Sequence, residues 1–288
     1  MKRVLIVIST YKSQSDELAK DISAFLAKRG YSSDVFPYDD KKQVFDLKDS
    51  YSFAVSLGGD GTVLFTARFC APRSIPVFPV NLGQFGFIAN ISPEDWQSEI
   101  EKFLSGIYDS HNRMLLDASV IRNGENMCRF EALNDVVVSG SGIAKLVNTE
   151  IHYNSVSFGV YKSDGVIIST PTGSTAYSAA SGGPILDPNL SAFVLTPISA
   201  FSLSNRPVVL PASGELRVKV LPYRQKNIVL SVDGQELVKL QEGDEVVVSE
   251  SKNMVTLIGC TPVAFYNALR SKLGWAGSFT VDRGCKDA

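Results

Sequence analysis

A chain of 288 residues with a formal net charge of −2 and no run of Lys or Arg lacks the basic footprint that nucleic acid or an anionic membrane surface requires. Hydrophobic residues make up 44% and charged residues 20%, the balance of a globular protein long enough for one large domain or two ordinary ones. The cysteines at 70, 128, 260 and 285 have no C-x-x-C spacing and His111 and His152 stand far apart, so a disulfide frame, a zinc site and a Ser-His-Asp triad all lack support.

The opening "MKRVLIVISTYKSQ" imitates a signal peptide, but its apolar run stops at Ile8 without a small-residue cleavage site. It reads instead as a first β-strand of a cytosolic protein. No apolar stretch approaches the ~20 residues that cross a bilayer. A helix is expected over 13–29, with Leu18, Ile22, Phe25 and Leu26 on one face and Gly30 at its end. "SDVFPY" is a weak second strand, "DDKKQVFDLKD" (39–49) a solvated connection, and "YSFAVSL" a stronger third strand that runs into glycines. A helix over 63–70 and the strand "IPVFPVN" follow. Ser92-Pro93-Glu94-Asp95 then opens a helix as a capping box, and Gly106 closes it. Strand and helix in alternation imply βαβ units and a parallel sheet.

From Met114 the pattern changes. Two strand-like runs meet at Asn123-Gly124, a strong hairpin signal. "TEIHYN", "VSFGVYKSDGVIIST", "ELRVKVLP", "NIVLSVDGQ" and "DEVVVSES" continue at short intervals, and "PVAFYNALRSKLGW" regains helical character. The fold expected is an α/β domain with a parallel sheet over 1–115 and a mainly antiparallel β domain, a sandwich or layered sheet, over 116–262. A helical segment over 263–288 is expected to pack back on the first domain.

Two motifs carry chemistry. In "SLGGDGTVL" an apolar strand ends in Gly58-Gly59-Asp60-Gly61 before a helix. Backbone N–H groups and a helix N-terminus at such a turn receive phosphate oxygens. A carboxylate repels phosphate unless it binds a metal or takes a proton from the attacking hydroxyl, so Asp60 points to phosphoryl transfer. A Gly-rich connector with Asp60 as a helix cap accounts for these residues equally well. The pattern G-x-x-x-x-G-K-[ST] is absent, which disfavours a P-loop. The second motif, "DGVIISTPTGSTAYSAASGGPIL", sets many hydroxyls beside glycines after a buried strand. Such a stretch suits hydrogen bonding to sugar hydroxyls, amides or phosphates, with Tyr177 as a flat face for a base. A polar surface loop would carry more charge and less Ala and Thr. "VVVSGSGIAKL" offers Gly140-x-Gly142 after a strand, but Lys145 replaces the third glycine of a dinucleotide fingerprint.

GGDG followed by Thr, Asn134-Asp135 before a Val run, and the long Thr/Ser/Gly/Ala motif together resemble the NAD kinase family. The resemblance extends over nearly the whole chain, through "SLSNRPVVLP" to the terminal "KLGW". GGDG alone is shared with lipid kinases and phosphofructokinases; the long motif separates NAD kinases from them. The resemblance implies an NAD kinase-like pair of domains. It also implies ATP-dependent phosphorylation of the adenosine 2′-hydroxyl of NAD⁺ to give NADP⁺, with Mg²⁺ or another divalent cation carried by the nucleotide rather than by a side-chain cluster. By the same resemblance Asp60 is the base and Gly61 lies at the donor phosphates. Asn134 and Asp135 contact adenine or ribose hydroxyls, Asp135 standing where many members have Glu. Asp164 lies near the nicotinamide end, and Thr175, Ala176 and Tyr177 line the adenosine. Ala180 replaces a ligand-bonding serine of several members, a bond left to Ser178 or Ser181. Lys162 matches the basic residue of members that accept NAD⁺ and reject NADH. In "VDGQ", Asp233 falls near the phosphates in some members, with a plain hairpin turn the equal alternative, and Gln235 is a substrate-binding position. The resemblance further implies a homodimer or homotetramer whose NAD site is built partly from a neighbouring subunit. A kinase of a lipid or other small molecule, and a non-catalytic dinucleotide sensor, remain the alternatives. No legible apolar groove supports the first, and the intact GGDG argues against the second.

Overall fold

The structure, a computed structural model, describes residues 2–39, 50–83, 86–142, 146–202, 204–222 and 227–274. Most of the 39–49 connection, Lys145, the Trp of "KLGW" and Cys285 lie outside the described residues.

The first part of the chain runs β1 (Lys2–Ser9), α1 (Ser15–Ala27), β2 (Tyr31–Tyr38), β3 (Phe53–Gly58), α2 (Asp60–Cys70), β4 (Val77–Asn81) and α3 (Trp96–Leu104). Strands β2-β1-β3-β4 form a parallel ladder. Side chains alternate across a strand, so Val4, Ile6 and Ile8 pack with Ile22 and Leu26 of α1 and Ile100 of α3. Leu5 and Val7 face the other way, into a cluster with Val63, Phe65 and Ala67 of α2. A sheet buried on both faces explains the unbroken apolar runs. The helix expected over 63–70 begins three residues earlier, at Asp60, because Gly59 adopts the extended conformation of an N-cap. Of the two bonds of the Ser92–Asp95 capping box only one forms, Asp95 N–H to Ser92 Oγ at 3.2 Å; the Ser92 hydroxyl donates back to the Asp95 carboxylate, and both bonds close a turn that precedes α3.

The remainder comprises β5 (Ser110–Arg122), β6 (Glu125–Ala132), β7 (Asp135–Gly140), β8 (Val147–Tyr153), β9 (Val156–Ser163), β10 (Gly165–Ser169) and the single-turn α4 (Tyr177–Ala180). Then come β11 (Ala192–Ile198), β12 (Val208–Pro211), β13 (Leu216–Val220), β14 (Ile228–Val232), β15 (Glu236–Leu240), β16 (Glu245–Ile258) and α5 (Pro262–Leu273). Strand β16 joins the halves. Its C-terminal end pairs in parallel with β4 at Leu257 and Val77, while most of its length runs antiparallel to β5. The boundary expected near residue 115 therefore falls inside β5, and one ten-stranded sheet is continuous across it. A second sheet, ordered β12-β11-β10-β7-β14-β15, packs against the β-rich half of the first. Alternate residues of both, including Leu116, Val218 and Val248 from the first and Val136, Ile168 and Leu230 from the second, share one apolar cluster. This is the sandwich expected.

"VSFGVYKSDGVIIST" is two strands rather than one. The chain breaks at Asp164 and passes from β9 in the first sheet to β10 in the second. Strand β11 carries Pro197, which argues against a strand interior. It is tolerated because β12 pairs only with Ala192–Leu195, so no ladder bond is lost on that side.

Candidate active site

Ladder register brings the motifs together. In the second sheet Ser169 of β10 lies opposite Asp135 of β7, and Val232 of β14 lies opposite Val136. Three adjacent strands thus end side by side, and the segments flanking those ends are Leu133–Asn134, Thr170–Ser174 and Asp233–Gln235. The β14–β15 turn reaches across to α2, where the Gln235 side-chain amide donates to the Gly61 carbonyl at 2.7 Å. The candidate site is the cleft between this sheet end and the C-terminal end of β3. Ligands of parallel α/β sheets bind outside that end of the strands.

On the cleft's first wall is the glycine turn. Gly58 is closed to side chains, since a Cβ there would stand 2.1 Å from Thr62 Oγ1. Beside Gly59 and Gly61 a Cβ would meet nothing within 4 Å. Asp60 and Gly61 occupy the first turn of α2, where backbone N–H groups have no partner inside the helix. Asp60 is not a helix cap; Gly59 takes that position. Its carboxylate instead receives three consecutive amides. Phe87 N–H donates to Oδ2 at 2.7 Å, and Ile88 and Ala89 N–H donate to Oδ1 at 3.1 and 3.0 Å. A carboxylate accepts about four hydrogen bonds, so among the described residues one lone pair, on Oδ2, has no donor. Gly86 keeps this grip tight, because a Cβ there would lie 2.7 Å from Asp60 Oδ1. Helix α5 backs the loop: Phe265 and Phe87 meet at 6.4 Å between ring centres, and Lys272 lies over the Phe87 ring at 5.5 Å. Burial pulls the Lys272 ammonium down, and the Asp60 carboxylate opposes that shift.

The second wall repeats the device. Asp233 sits at φ 51° in the β14–β15 turn, so the plain hairpin turn is real. Its carboxylate also accepts from Leu133 N–H (2.9 Å) at Oδ2 and from Asn134 and Asp135 N–H (2.8 and 3.1 Å) at Oδ1. Burial raises the Asp233 carboxyl against the pull of those bonds and of Arg68. Burial, with the Asp233 charge second, pushes the Asp135 carboxyl up to about 7. Asn134 Oδ1 and Thr172 Oγ1 are buried without a hydrogen-bond partner. Buried polar atoms left unpaired are costly, and these two lie at the same sheet end, one on each of two adjacent flanking segments.

Most hydroxyls of the long motif serve the chain itself. Thr170 Oγ1 donates to Leu133 O at 2.6 Å, Ser174 Oγ to Pro171 O at 2.6 Å, and Ser178 Oγ bonds Thr196 Oγ1 at 2.9 Å. Ser178 is fully buried and its hydroxyl is shared with Thr196, while Ser181 follows half-buried after α4. Gly173 lets this loop lie on the Asn134 backbone, for a Cβ there would come 2.1 Å from Asn134 O. Thr175 and Ala176 follow half-buried, and Tyr177 is 46% exposed. Asp164 and Lys162 are not brought here. They precede the opposite end of β10, about 17 Å away at the usual rise per strand residue.

Among the described residues, no three His, Cys, Asp or Glu side chains form a group that could hold a metal ion. Among the same described residues, no helix is long and apolar enough to cross a membrane. A groove of about 730 Å³ on the outer face of the first sheet, lined by Asp117, Glu215, Arg217 and Glu245 among others, shares no residue with the cleft. Arg68 belongs to no motif; only its spacing of seven from Gly61, which puts both on one helix face, links it to the glycine turn in the sequence.

Residues 37–108 match the family model of the ATP-NAD kinase N-terminal domain, and residues 133–260 that of the ATP-NAD kinase C-terminal domain. The chain is 61% identical over 278 residues to the NAD kinase of Treponema denticola, covering 96% of this chain and 98% of that one. It is 51% identical over 282 residues to that of Treponema pallidum, covering 98% and 92%. In fold it is similar to yeast NADH kinase, solved in complex with NADH, at TM-score 0.87 and 24% identity over 98% of this chain and 89% of that one. It is also similar to an NAD kinase from Archaeoglobus fulgidus, solved with ATP, at TM-score 0.75 and 24% identity over 93% and 96%.

Proposed function

This chain belongs to the NAD kinase family and is an NAD⁺ kinase, and from that premise we propose that its reaction centre is the turn Gly58–Gly61, with Asp60 as general base. The observation that carries this reading is the state of Asp60. Three amides hold its carboxylate at the mouth of an open glycine turn, and one Oδ2 lone pair is left over.

The donor nucleotide, ATP, lays its terminal phosphates against the first-turn amides of α2, where the helix dipole favours negative charge. The adenosine of NAD⁺ lies against Asn134 and Asp135. The unpaired Asn134 Oδ1 and Thr172 Oγ1 accept from its amino or hydroxyl groups, and Thr175, Ala176 and Tyr177 flank it. Asp60 Oδ2 takes the proton of the adenosine 2′-hydroxyl as its oxygen bonds the γ-phosphorus. The bond from that phosphorus to the bridging oxygen breaks, and ADP leaves. The nucleophile is the substrate's own, so the protein supplies a base, positioning and a phosphate cradle. A divalent cation, Mg²⁺, would arrive on the nucleotide's phosphates and neutralise their charge there; the one open lone pair of Asp60 Oδ2 is kept for the 2′-hydroxyl proton, and no side-chain cluster among the described residues would hold the ion.

The enzyme acts in the cytosol as a homo-oligomer. Lys162 and Asp164 stand at the far end of β10, so a neighbouring copy supplies them to the nicotinamide end, where Lys162 selects NAD⁺ over NADH. The apolar Val156, Phe158 and Val160, exposed on edge strand β9 just before them, favour such a contact. Incubation with Mg-ATP and NAD⁺, followed by assay of NADP⁺, tests the activity. Formation of NADP⁺ only from polyphosphate would contradict the ATP assignment.

A further inference from the structure

Arg68 is a cation placed at the junction of the two walls, and the reaction as described leaves it unused. Residues seven apart share a helix face, so Arg68 and Gly61 of α2 both face the β14–β15 turn. The Arg68 guanidinium forks there: Nη1 donates to Glu236 Oε1 at 2.8 Å and Nη2 to Gln235 Oε1 at 3.0 Å. The other end of the same amide, Gln235 Nε2, donates to Gly61 O at 2.7 Å. Both ends of Gln235 are therefore committed within the chain.

A carboxamide is nearly symmetric in shape, and its orientation is decided by its partners. Turned over, Gln235 would set its NH₂ against the Arg68 donor and its oxygen against the Gly61 carbonyl. Arg68 thus selects the orientation in which Gln235 grips the catalytic turn. Asp233, two residues before Gln235 on the same turn, grips the amides of Leu133, Asn134 and Asp135. One β-turn therefore holds both walls.

We propose that Arg68 is a positioning residue: acting through Gln235, it sets the Asp60–Gly61 turn in register with the Asn134–Asp135 pair. This rests on the reading that the turn is the phosphoryl-transfer centre. Near-attack geometry is sensitive to ångström displacements, with about 10²-fold in rate for roughly 1 Å. Losing the register lowers kcat and leaves ground-state binding of either substrate little changed.

The test uses Arg68→Lys, Gln235→Glu and Asp60→Asn beside wild type, with NADP⁺ formation and thermal melts on each. Lysine keeps the charge and reaches Glu236, but its single ammonium lacks the fork that also fixes Gln235. Glutamate strengthens the link to Arg68 and removes the donor to Gly61. Both variants are expected to lose about tenfold or more in kcat, with KM for NAD⁺ and ATP within about threefold and melting temperature close to wild type. Combined, they are expected to lose little more than the worse single variant, because one relay is broken twice. An Arg68→Lys enzyme with wild-type kcat beside an inactive Asp60→Asn would overturn this inference alone. An Asp60→Asn enzyme that keeps its turnover would overturn the reading of the turn, and this inference with it. A kcat loss in Arg68→Lys that appears only as the melting temperature falls would make Arg68 a plain interdomain tie and also overturn the proposal.

Discussion

Gly61→Ala separates the needs of the fold from the needs of a ligand. Gly61 lies in the first turn of α2, is exposed, and a Cβ there would meet nothing within 4 Å. Alanine in a helix is favoured over glycine by about 0.5–1 kcal/mol, so the variant should be at least as stable as wild type. For a chain of this size that is a rise of roughly 1–3 °C in Tm. If donor phosphates approach the turn closely, the added methyl occupies their space and moves the phosphorus by about 1 Å, enough to lower the rate about 10²-fold. Gly58→Ala gives the contrast, since its Cβ would stand 2.1 Å from Thr62 Oγ1 and 2.8 Å from Thr62 Cβ. That variant should lose stability outright, by about 1–3 kcal/mol. The assay is a thermal melt and steady-state kinetics with both substrates varied. A Gly61→Ala enzyme with unchanged kcat/KM for ATP would mean that nothing approaches the turn, and would refute the phosphate cradle.

The raised carboxyl of Asp135, at about 7 against about 3.9 in an unfolded chain, holds a proton in the folded state that the unfolded state releases. The contribution of this group to stability is therefore fully present below about 4, falls as pH rises through the window, and is gone above about 7. Asp135→Asn should gain on wild type by up to about 4 kcal/mol at pH 8 and gain little at pH 4; urea melts giving the same difference at both would refute the burial argument. Gly173→Ala should push the Thr170–Ser174 loop off the Asn134 backbone, costing about 3 kcal/mol and raising KM for NAD⁺ more than it lowers kcat. Wild-type kinetics in that variant would exclude the loop from the acceptor site. Light scattering should report a homo-oligomer; a stable, fully active monomer would refute the shared site.

Local features were legible in the sequence because their causes are local. The apolar run of β1, the glycine turn after β3 and the Asn123-Gly124 hairpin, with φ of 52° and 83°, all follow from the residues themselves. The convergence of Asn134, Thr172 and Gln235 was not legible, since it depends on the register of β7, β10 and β14, strands far apart in the chain. The continuity of the halves was hidden for the same reason: β5 and β16 are separated by more than a hundred residues. The hydroxyls of the long motif misled in a further way. Thr170, Ser174 and Ser178 look like ligand contacts, but they satisfy backbone and side-chain partners of their own. A polar residue that organises a site and one that touches its ligand have the same sequence appearance until the partners are known. Asp233 shows it most plainly, being at once a hairpin turn residue and the anchor of three amides.

The central claim is that Asp60 takes the proton of the 2′-hydroxyl at the glycine turn. Asp60→Asn keeps the shape and the two amide bonds at Oδ1, but cannot accept that proton. It also faces Phe87 N–H with a donor, at a cost of about 1–3 kcal/mol in stability. The decisive measurement is NADP⁺ formation by this variant at saturating Mg-ATP and NAD⁺, well below its melting temperature. The account predicts kcat lower by about 10²–10⁴-fold, with KM for NAD⁺ within a few-fold and no rescue by added Mg²⁺. A kcat close to wild type would contradict it and leave Asp60 as the anchor of the Phe87–Ala89 loop alone.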